Sequence, residues 1–337
     1  MRQVFNELYA SVLDGRAERT VGLIDAIAVY QQRHGGASLP TGRSLRAERL
    51  YNLFPLPVWM SRLNLTVGLL WLCVLIGHFV RRQGRSGQLL LRHVPRWPRV
   101  AGAVWLGLSF AALTGYMVLR TMVSGRLPLG NGYETMLALS WMLLAFALVL
   151  CRRLPVMMPF GLLLSGFFLL VSSFSQMNPQ ITPLVPVLSS PLLSVHVSLI
   201  MAAYALLSLT FLCALVALSV LMVRGGVRAT GVEGSLGSLS VVSRLFLYPG
   251  LALLGAGIFV GAVWAGQSWG RYWGWDPKEV WALISFLVYA VAAHGGSLRR
   301  FRRPAFYHVY MLLAFLTVAM TYWGVNYFLG GMHSYAG

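Results

Sequence analysis

Hydrophobic residues collect in eight long runs along the chain, and most polar residues lie between them. Each run is near the 20 residues that a helix needs to cross the hydrocarbon core of a bilayer. Lipid offers no partners for backbone N–H and C=O groups, so such runs fold as helices. The pattern predicts an all-α fold, a polytopic membrane helix bundle of about eight transmembrane helices near residues 58–80, 99–121, 133–151, 156–176, 194–223, 242–265, 279–297 and 304–328.

Residues 1–57 are the least hydrophobic part of the chain, and residues 1–20 lack the apolar core of a signal peptide. Apolar side chains recur at helical spacing and predict one short amphipathic helix around Val21, Ile24, Ile27 and Ala28. A loop is expected over residues 34–40. We therefore divide the chain into an N-terminal extracytoplasmic segment, 1–57, and a transmembrane domain, 58–337.

Composition supports a membrane protein. Hydrophobic residues make up 57% and charged residues 11% of the chain, against about 25% charged residues in soluble domains. The net charge of +18 comes mainly from arginines that flank the apolar runs, so we interpret it as a topology signal and expect no nucleic-acid partner. Three cysteines without a CxxC pair exclude a disulfide scaffold and a c-type cytochrome.

The arginines also predict orientation. The loops after the first, third, fifth and seventh spans hold 15 of the 27 basic residues. Loops rich in Arg and Lys remain in the cytoplasm. The loop around residues 264–281 and the C-terminus are then expected outside.

That outer loop contains five of the eleven tryptophans within eighteen residues. Indoles are common at membrane interfaces, but interfacial preference does not explain a cluster punctuated by Gly266, Gly270 and Gly274. The five are Trp264, Trp269, Trp273, Trp275 and Trp281. The stretch WGRYWGWDPKEVWALI resembles the tryptophan-rich WWD signature of haem-handling proteins of cytochrome c maturation.

Two acids of this loop, Asp276 and Glu279, resemble catalytic carboxylates. Their spacing around Pro277 is also that of a helix-capping arrangement before the seventh span. We favour capping and assign no catalytic residue.

Histidines at two depths are the candidate haem ligands. His196, one turn into the fifth span, and His333, after the eighth, share the outer face with the tryptophans. A haem iron takes axial imidazole ligands, which makes this pair the predicted outer site. His294 lies fifteen residues beyond Glu279 and His78 at the inner end of the first span, so both are candidates for an inner haem. His308 is expected to be interfacial, and His34 and His93 are expected at the surface.

The resemblance extends to GRLPLGNGYETMLALSW (125–141), ITPLVPVLSSPLLSVHVS (181–198) and GVNYFLGGMHSYA (324–336), and covers about residue 50 onward. These segments are similar to the CcsA/ResC-type subunit of System II cytochrome c biogenesis. The resemblance implies haem b as a substrate, held by His196 and His333 outside and by His294 within the membrane.

The resemblance also implies one half of a synthase in the bacterial inner membrane. A ResB/CcsB-type partner would complete it, and haem would be exported and presented to the CxxCH thiols of an apocytochrome c. Haem lyase activity is expected only with that partner. Alternatives are a System I-type haem delivery protein, a b-type membrane cytochrome, and a transport or structural membrane protein, which would leave the tryptophan loop unexplained.

Overall fold

The computed structural model describes residues 2–36, 39–81, 96–174, 177–181, 190–223 and 232–329, with backbone only at 2, 75–81 and 96. Within these ranges the chain is helical and contains no strand. It divides into two compact units, Met1–Leu53 and Phe54–Gly337. The division falls a few residues before the boundary predicted at 57.

In its described residues the first unit has three α-helices, α1 (Arg2–Leu13), α2 (Ala17–His34) and α3 (Gly42–Leu53). The predicted amphipathic helix lies within α2, whereas α1 and α3 were not predicted. A left-handed Gly15, with φ of 67°, makes the turn between α1 and α2. The Ser11 and Thr20 hydroxyls then hydrogen-bond at 3.0 Å across that turn.

The second unit contains a helix in every predicted span. These are α4 (Leu56–Arg81), α5 (Arg96–Ser124), α6 (Gly132–Leu150), α7 (Met157–Val171), α8 (Pro191–Val223), α9 (Val232–Trp269), α10 (Pro277–Ala293) and α11 (Pro304–Ala319). The last continues as a π-helix, Met320–Leu329.

Six of these helices are long and apolar enough to cross a membrane within the described ranges, namely α4, α5, α6, α8, α9 and α11 with its π-helical extension. The remaining two, α7 with 15 residues and α10 with 17, are shorter. The chain is therefore a multi-pass membrane protein with an all-α helical bundle.

Helix α8 forms the centre of the second unit and packs along α9, with further contacts to α6, α7 and α11. Close approach of α8 and α9 depends on glycine. A Cβ at Gly257 would lie 2.6 Å from Cδ1 of Ile200, and a Cβ at Gly261 would lie 2.5 Å from Cε1 of His196. Small residues at such contacts let the side chains of one membrane helix pack directly against the backbone of its neighbour.

His308 is not interfacial, so that prediction was wrong. Its side chain on α11 is fully buried. Its Nε2 atom lies 3.0 Å from the carbonyl oxygen of Leu236 and 3.1 Å from the hydroxyl of Ser240, both on α9. The imidazole therefore joins α9 to α11. His34 is exposed at the end of α2, as predicted, and His93 lies outside the described residues.

Candidate functional site

A cavity of about 530 Å³ lies in the second unit, where the starts of α6, α8 and α10 meet the end of α9 and the π-helix. This volume is typical of small-molecule sites, which span roughly 300–1,000 Å³. Most of the wall is apolar, and its aliphatic residues include Leu127, Leu129, Leu193, Val197, Ile200, Met201, Ile258 and Ala282.

His196 lines this cavity from the first turns of α8. Its Nδ1 atom lies 2.7 Å from the carbonyl oxygen of Gly257. A carbonyl oxygen only accepts, so Nδ1 carries the hydrogen, and in a neutral ring the lone pair is then on Nε2. Metal-ligating histidines are held in this way by a second partner.

Two of the five clustered tryptophans line the cavity, Trp264 and Trp273. Trp264 is 2% exposed, and Trp269 packs edge-on against it with ring centroids 6.4 Å apart. Trp275 is 75% exposed and packs edge-on against Trp273 at 6.0 Å. Trp281 is half-buried on α10. The other three therefore lie outside the cavity wall, and Trp269 and Trp275 pack against tryptophans that form it.

The predicted cap of α10 is present. The Asp276 carboxylate accepts from the backbone N–H of Lys278 at 2.9 Å. Oε2 of Glu279 accepts from the backbone N–H of Gly274 at 2.8 Å and of Asp276 at 3.2 Å. Asp276 is buried and does not line the cavity, whereas Glu279 is part of its wall. The two carboxylates hold the tryptophan loop against α10, which favours a structural role over an acid–base role.

A buried ion cluster adjoins the same cavity. The Glu134 carboxylate, on the first turn of α6, lies 2.9 Å from a guanidinium nitrogen of Arg120 and 2.7 Å from one of Arg126. Arg120 and Glu134 are fully buried, and Arg126 lines the cavity. This cluster was not predicted from the sequence. The signal in the sequence that could have indicated it is the presence of Arg120 and Glu134, two ionisable residues at the ends of apolar runs.

Lys278, the only lysine of the chain, also lines the cavity. It precedes the seventh predicted span, which begins at residue 279. Burial lowers the pKa of its ammonium group from 10.5 to about 8, and the neighbouring Asp276 partly opposes this shift. Its charge is therefore sensitive to mildly alkaline pH.

Hydroxyl groups join the π-helix to α6 and α10. The hydroxyls of Tyr322 and Thr135 lie 2.7 Å apart, and those of Thr321 and Ser285 lie 3.1 Å apart. The π-helix also supplies Asn326 to the wall. Irregular helical turns of this kind are frequent at functional sites.

The other predicted ligands do not line the cavity. His294 lies at the far end of α10, is exposed, and approaches the carbonyl oxygen of Ala290 at 2.8 Å through Nδ1. The side chain of His78, on α4, lies outside the described part, and so does the whole of His333. Among the described residues, no three histidine, cysteine or acidic side chains cluster to chelate a metal ion.

The sequence has clear relatives. Protein NrfI of Wolinella succinogenes is 33% identical over 339 residues, which is 99% of this chain and 36% of NrfI. The cytochrome c biogenesis protein CcsA of Chlamydomonas reinhardtii is 32% identical over 69% of this chain and 67% of that protein. For CcsA of Guillardia theta the identity is 33%, over 68% of this chain and 90% of that protein.

This chain thus spans about a third of the length of NrfI and larger parts of the CcsA proteins. Residues 129–333 match the family described as cytochrome C assembly protein. That match includes His196, the tryptophan loop, His294 and His333. These relatives do not favour the System I-type or b-type cytochrome alternatives. The chain belongs to the cytochrome c assembly protein family.

Proposed function

We propose that the chain binds haem in the cavity at the tryptophan loop and presents it for covalent attachment to an apocytochrome c. Haem handling in cytochrome c maturation follows from the family. The main support for this site is that His196 lines the cavity and donates through Nδ1 to the carbonyl oxygen of Gly257. In a neutral ring, Nε2 is then the nitrogen that can bind iron. The apolar wall and the indoles of Trp264 and Trp273 suit a porphyrin.

His333 is the proposed second axial ligand of this outer haem. The π-helix that lines the cavity ends at Leu329, four residues before His333 in the sequence. Haem b is the proposed form and is a substrate, since it leaves with the cytochrome. Trp269, Trp275 and Trp281 are proposed to support the loop, with Asp276 as part of the same framework.

An inner haem is proposed at His294, with His78 or a partner residue as the second ligand. The exposed imidazole of His294 donates through Nδ1 to the carbonyl oxygen of Ala290, so in a neutral ring the lone pair is on Nε2 here too. An exposed ligand at a helix end suits a site that is completed by a neighbouring helix or subunit. Haem would pass from this site to the outer one.

The proposed setting is the bacterial inner membrane, with the cavity on the extracytoplasmic side. The distribution of arginines supports this orientation. A ResB/CcsB-type membrane partner is proposed to complete the synthase. Residues 1–57 are proposed to be extracytoplasmic.

For the attachment step, the protein mainly has to position the haem vinyl groups next to the cysteine thiols. Each thiol of the CxxCH motif adds across a haem vinyl group: sulfur bonds to one vinyl carbon and the thiol proton goes to the other. No external oxidant is consumed. This chain's residues would hold the macrocycle, exclude water and leave the vinyl edge open.

Co-expression tests this function. The chain, a ResB-type partner and an apocytochrome with CxxCH would be produced in a host without its own maturation system. Covalent haem on the cytochrome is expected with the wild-type chain and the partner, and is expected to be lost with His196→Ala. His34→Ala, at an exposed histidine of the first unit, is the matched control. Normal cytochrome formation by His196→Ala would overturn the proposal.

A further inference from the structure

The Arg120–Glu134–Arg126 cluster carries two positive charges and one negative charge. Arg126 contacts both carboxylate oxygens of Glu134, at 2.7 and 3.2 Å, and Arg120 donates to the same carboxylate through Nε at 3.0 Å. Two guanidiniums therefore share one carboxylate. Glu134 also accepts from the backbone N–H of Gly130 at 2.6 Å, so its lone pairs are heavily used.

No second acidic residue close in sequence could neutralise the extra positive charge. Glu134 is the only acidic residue between Glu48 and Glu233. At the α10 side of the cavity, Glu279 and Asp276 accept backbone N–H groups of the helix cap. Arg120 donates to the carbonyl oxygens of Pro179 and Gln180, but a carbonyl solvates a charge without neutralising it. The cluster has a net charge of +1.

Arg126 brings this surplus charge to the cavity. Its side chain is 19% exposed and forms part of the wall. Beyond its contacts to Glu134 and to the carbonyl oxygen of Leu127 at 3.3 Å, two of its five N–H groups find no acceptor in the described part of the protein. Partly buried charge is costly unless an opposite charge compensates it.

We infer that Arg126 is the contact for a carboxylate of the cavity's ligand, held in place by Glu134. A ligand carboxylate would neutralise the surplus charge and use the remaining donors of Arg126, since arginine binds carboxylates through paired N–H groups. An apolar, indole-lined cavity next to His196 favours a haem propionate as that carboxylate. This identification rests on the proposed function, whereas the carboxylate contact rests on the ion cluster alone.

The test compares ligands with and without the carboxylate. Haem and haem dimethyl ester, in which the propionates carry no charge, would be titrated into detergent-solubilised protein and followed by Soret absorbance. Oleate and methyl oleate, a second carboxylate–ester pair, would be titrated as competitors or followed by tryptophan fluorescence. Arg126→Gln is the variant, because it leaves Arg120 and Glu134 as a neutral pair. Arg271→Gln, on the tryptophan loop but outside the cavity wall, is the matched control.

We expect the wild type and Arg271→Gln to prefer haem over its ester by about tenfold or more, the size of one charge-assisted contact. Arg126→Gln is expected to lower that preference by about tenfold and to bind the ester as the wild type does. If Arg126→Gln keeps the full preference, the inference fails while the proposed function stands. If only oleate shows an Arg126-dependent preference and no haem binds, the carboxylate contact stands and the proposed function fails. Binding of no carboxylate in an Arg126-dependent way overturns the inference.

Discussion

Nδ1 of His196 on α8 lies 2.7 Å from the carbonyl oxygen of Gly257 on α9. This contact fixes the tautomer of a histidine that lines the cavity. It depends on close packing of the two helices, since the imidazole also lies against Gly261, one turn further along α9. The ligand and its support are therefore built from two different helices.

Gly261→Ala tests this support. A Cβ at this position would lie 2.5 Å from Cε1 and 2.6 Å from Nδ1 of His196, so the ring must shift. We expect haem affinity to fall roughly 10- to 100-fold, as for the loss of a metal ligand's supporting contact. Soret titration measures this. Gly115→Ala on α5, where a Cβ meets nothing within 4 Å, is expected to bind normally, and equal binding by both variants would contradict the account.

Glu134→Gln is expected to destabilise the protein. It leaves the buried Arg120 and the partly buried Arg126 without a carboxylate. Removal of one partner of a buried ion pair costs about 3–5 kcal/mol. Thermal unfolding in detergent should show a lower midpoint for Glu134→Gln than for Arg126→Gln, which leaves a balanced pair. A lower midpoint for Arg126→Gln than for Glu134→Gln would contradict the view that the Glu134 carboxylate stabilises both arginines.

Haem affinity is expected to depend on pH through Lys278. Burial lowers the pKa of Lys278 to about 8, so the cavity wall loses this positive charge as pH rises through 8. An anionic ligand should then bind more weakly, by roughly tenfold, at pH 9 than at pH 7. Titrations of Lys278→Arg, which remains charged, should show no such decline. An identical pH profile for the wild type and Lys278→Arg would contradict this role.

The predicted orientation can be measured by cysteine labelling. Cys73 is exposed, whereas Cys151 and Cys213 are buried, so the experiment uses a Cys73→Ser background. Tyr272→Cys on the exposed tryptophan loop and Arg300→Cys on the arginine-rich turn after α10 would each be treated with a membrane-impermeant maleimide. Labelling of intact cells is expected only at position 272, as the positive-inside rule requires. Labelling only at position 300 would show that the chain has the opposite orientation in the membrane.

Hydrophobic pattern was sufficient to locate the helices of the second unit, because each apolar run must satisfy its backbone internally. It was less informative at helix ends: α9 begins at Val232, ahead of the predicted 242. In the first unit, α1 and α3 lack a long apolar run and were missed.

The site was predictable where local sequence determines it and not where tertiary contacts do. The cap formed by Asp276 and Glu279 is local and was predicted. The burial of His308 between α9 and α11, and the sharing of Glu134 by two arginines, depend on helix packing. For the same reason, sequence did not indicate which tryptophans would line the cavity.

The most direct measurement of the central claim is the absorbance spectrum of His196→Gly with and without added imidazole. The wild-type protein, loaded with haem, is expected to show the low-spin spectrum of two imidazole ligands. His196→Gly should lose that spectrum and regain it when imidazole fills the vacated space beside Gly261. A low-spin spectrum that persists in His196→Gly without imidazole would contradict ligation by His196.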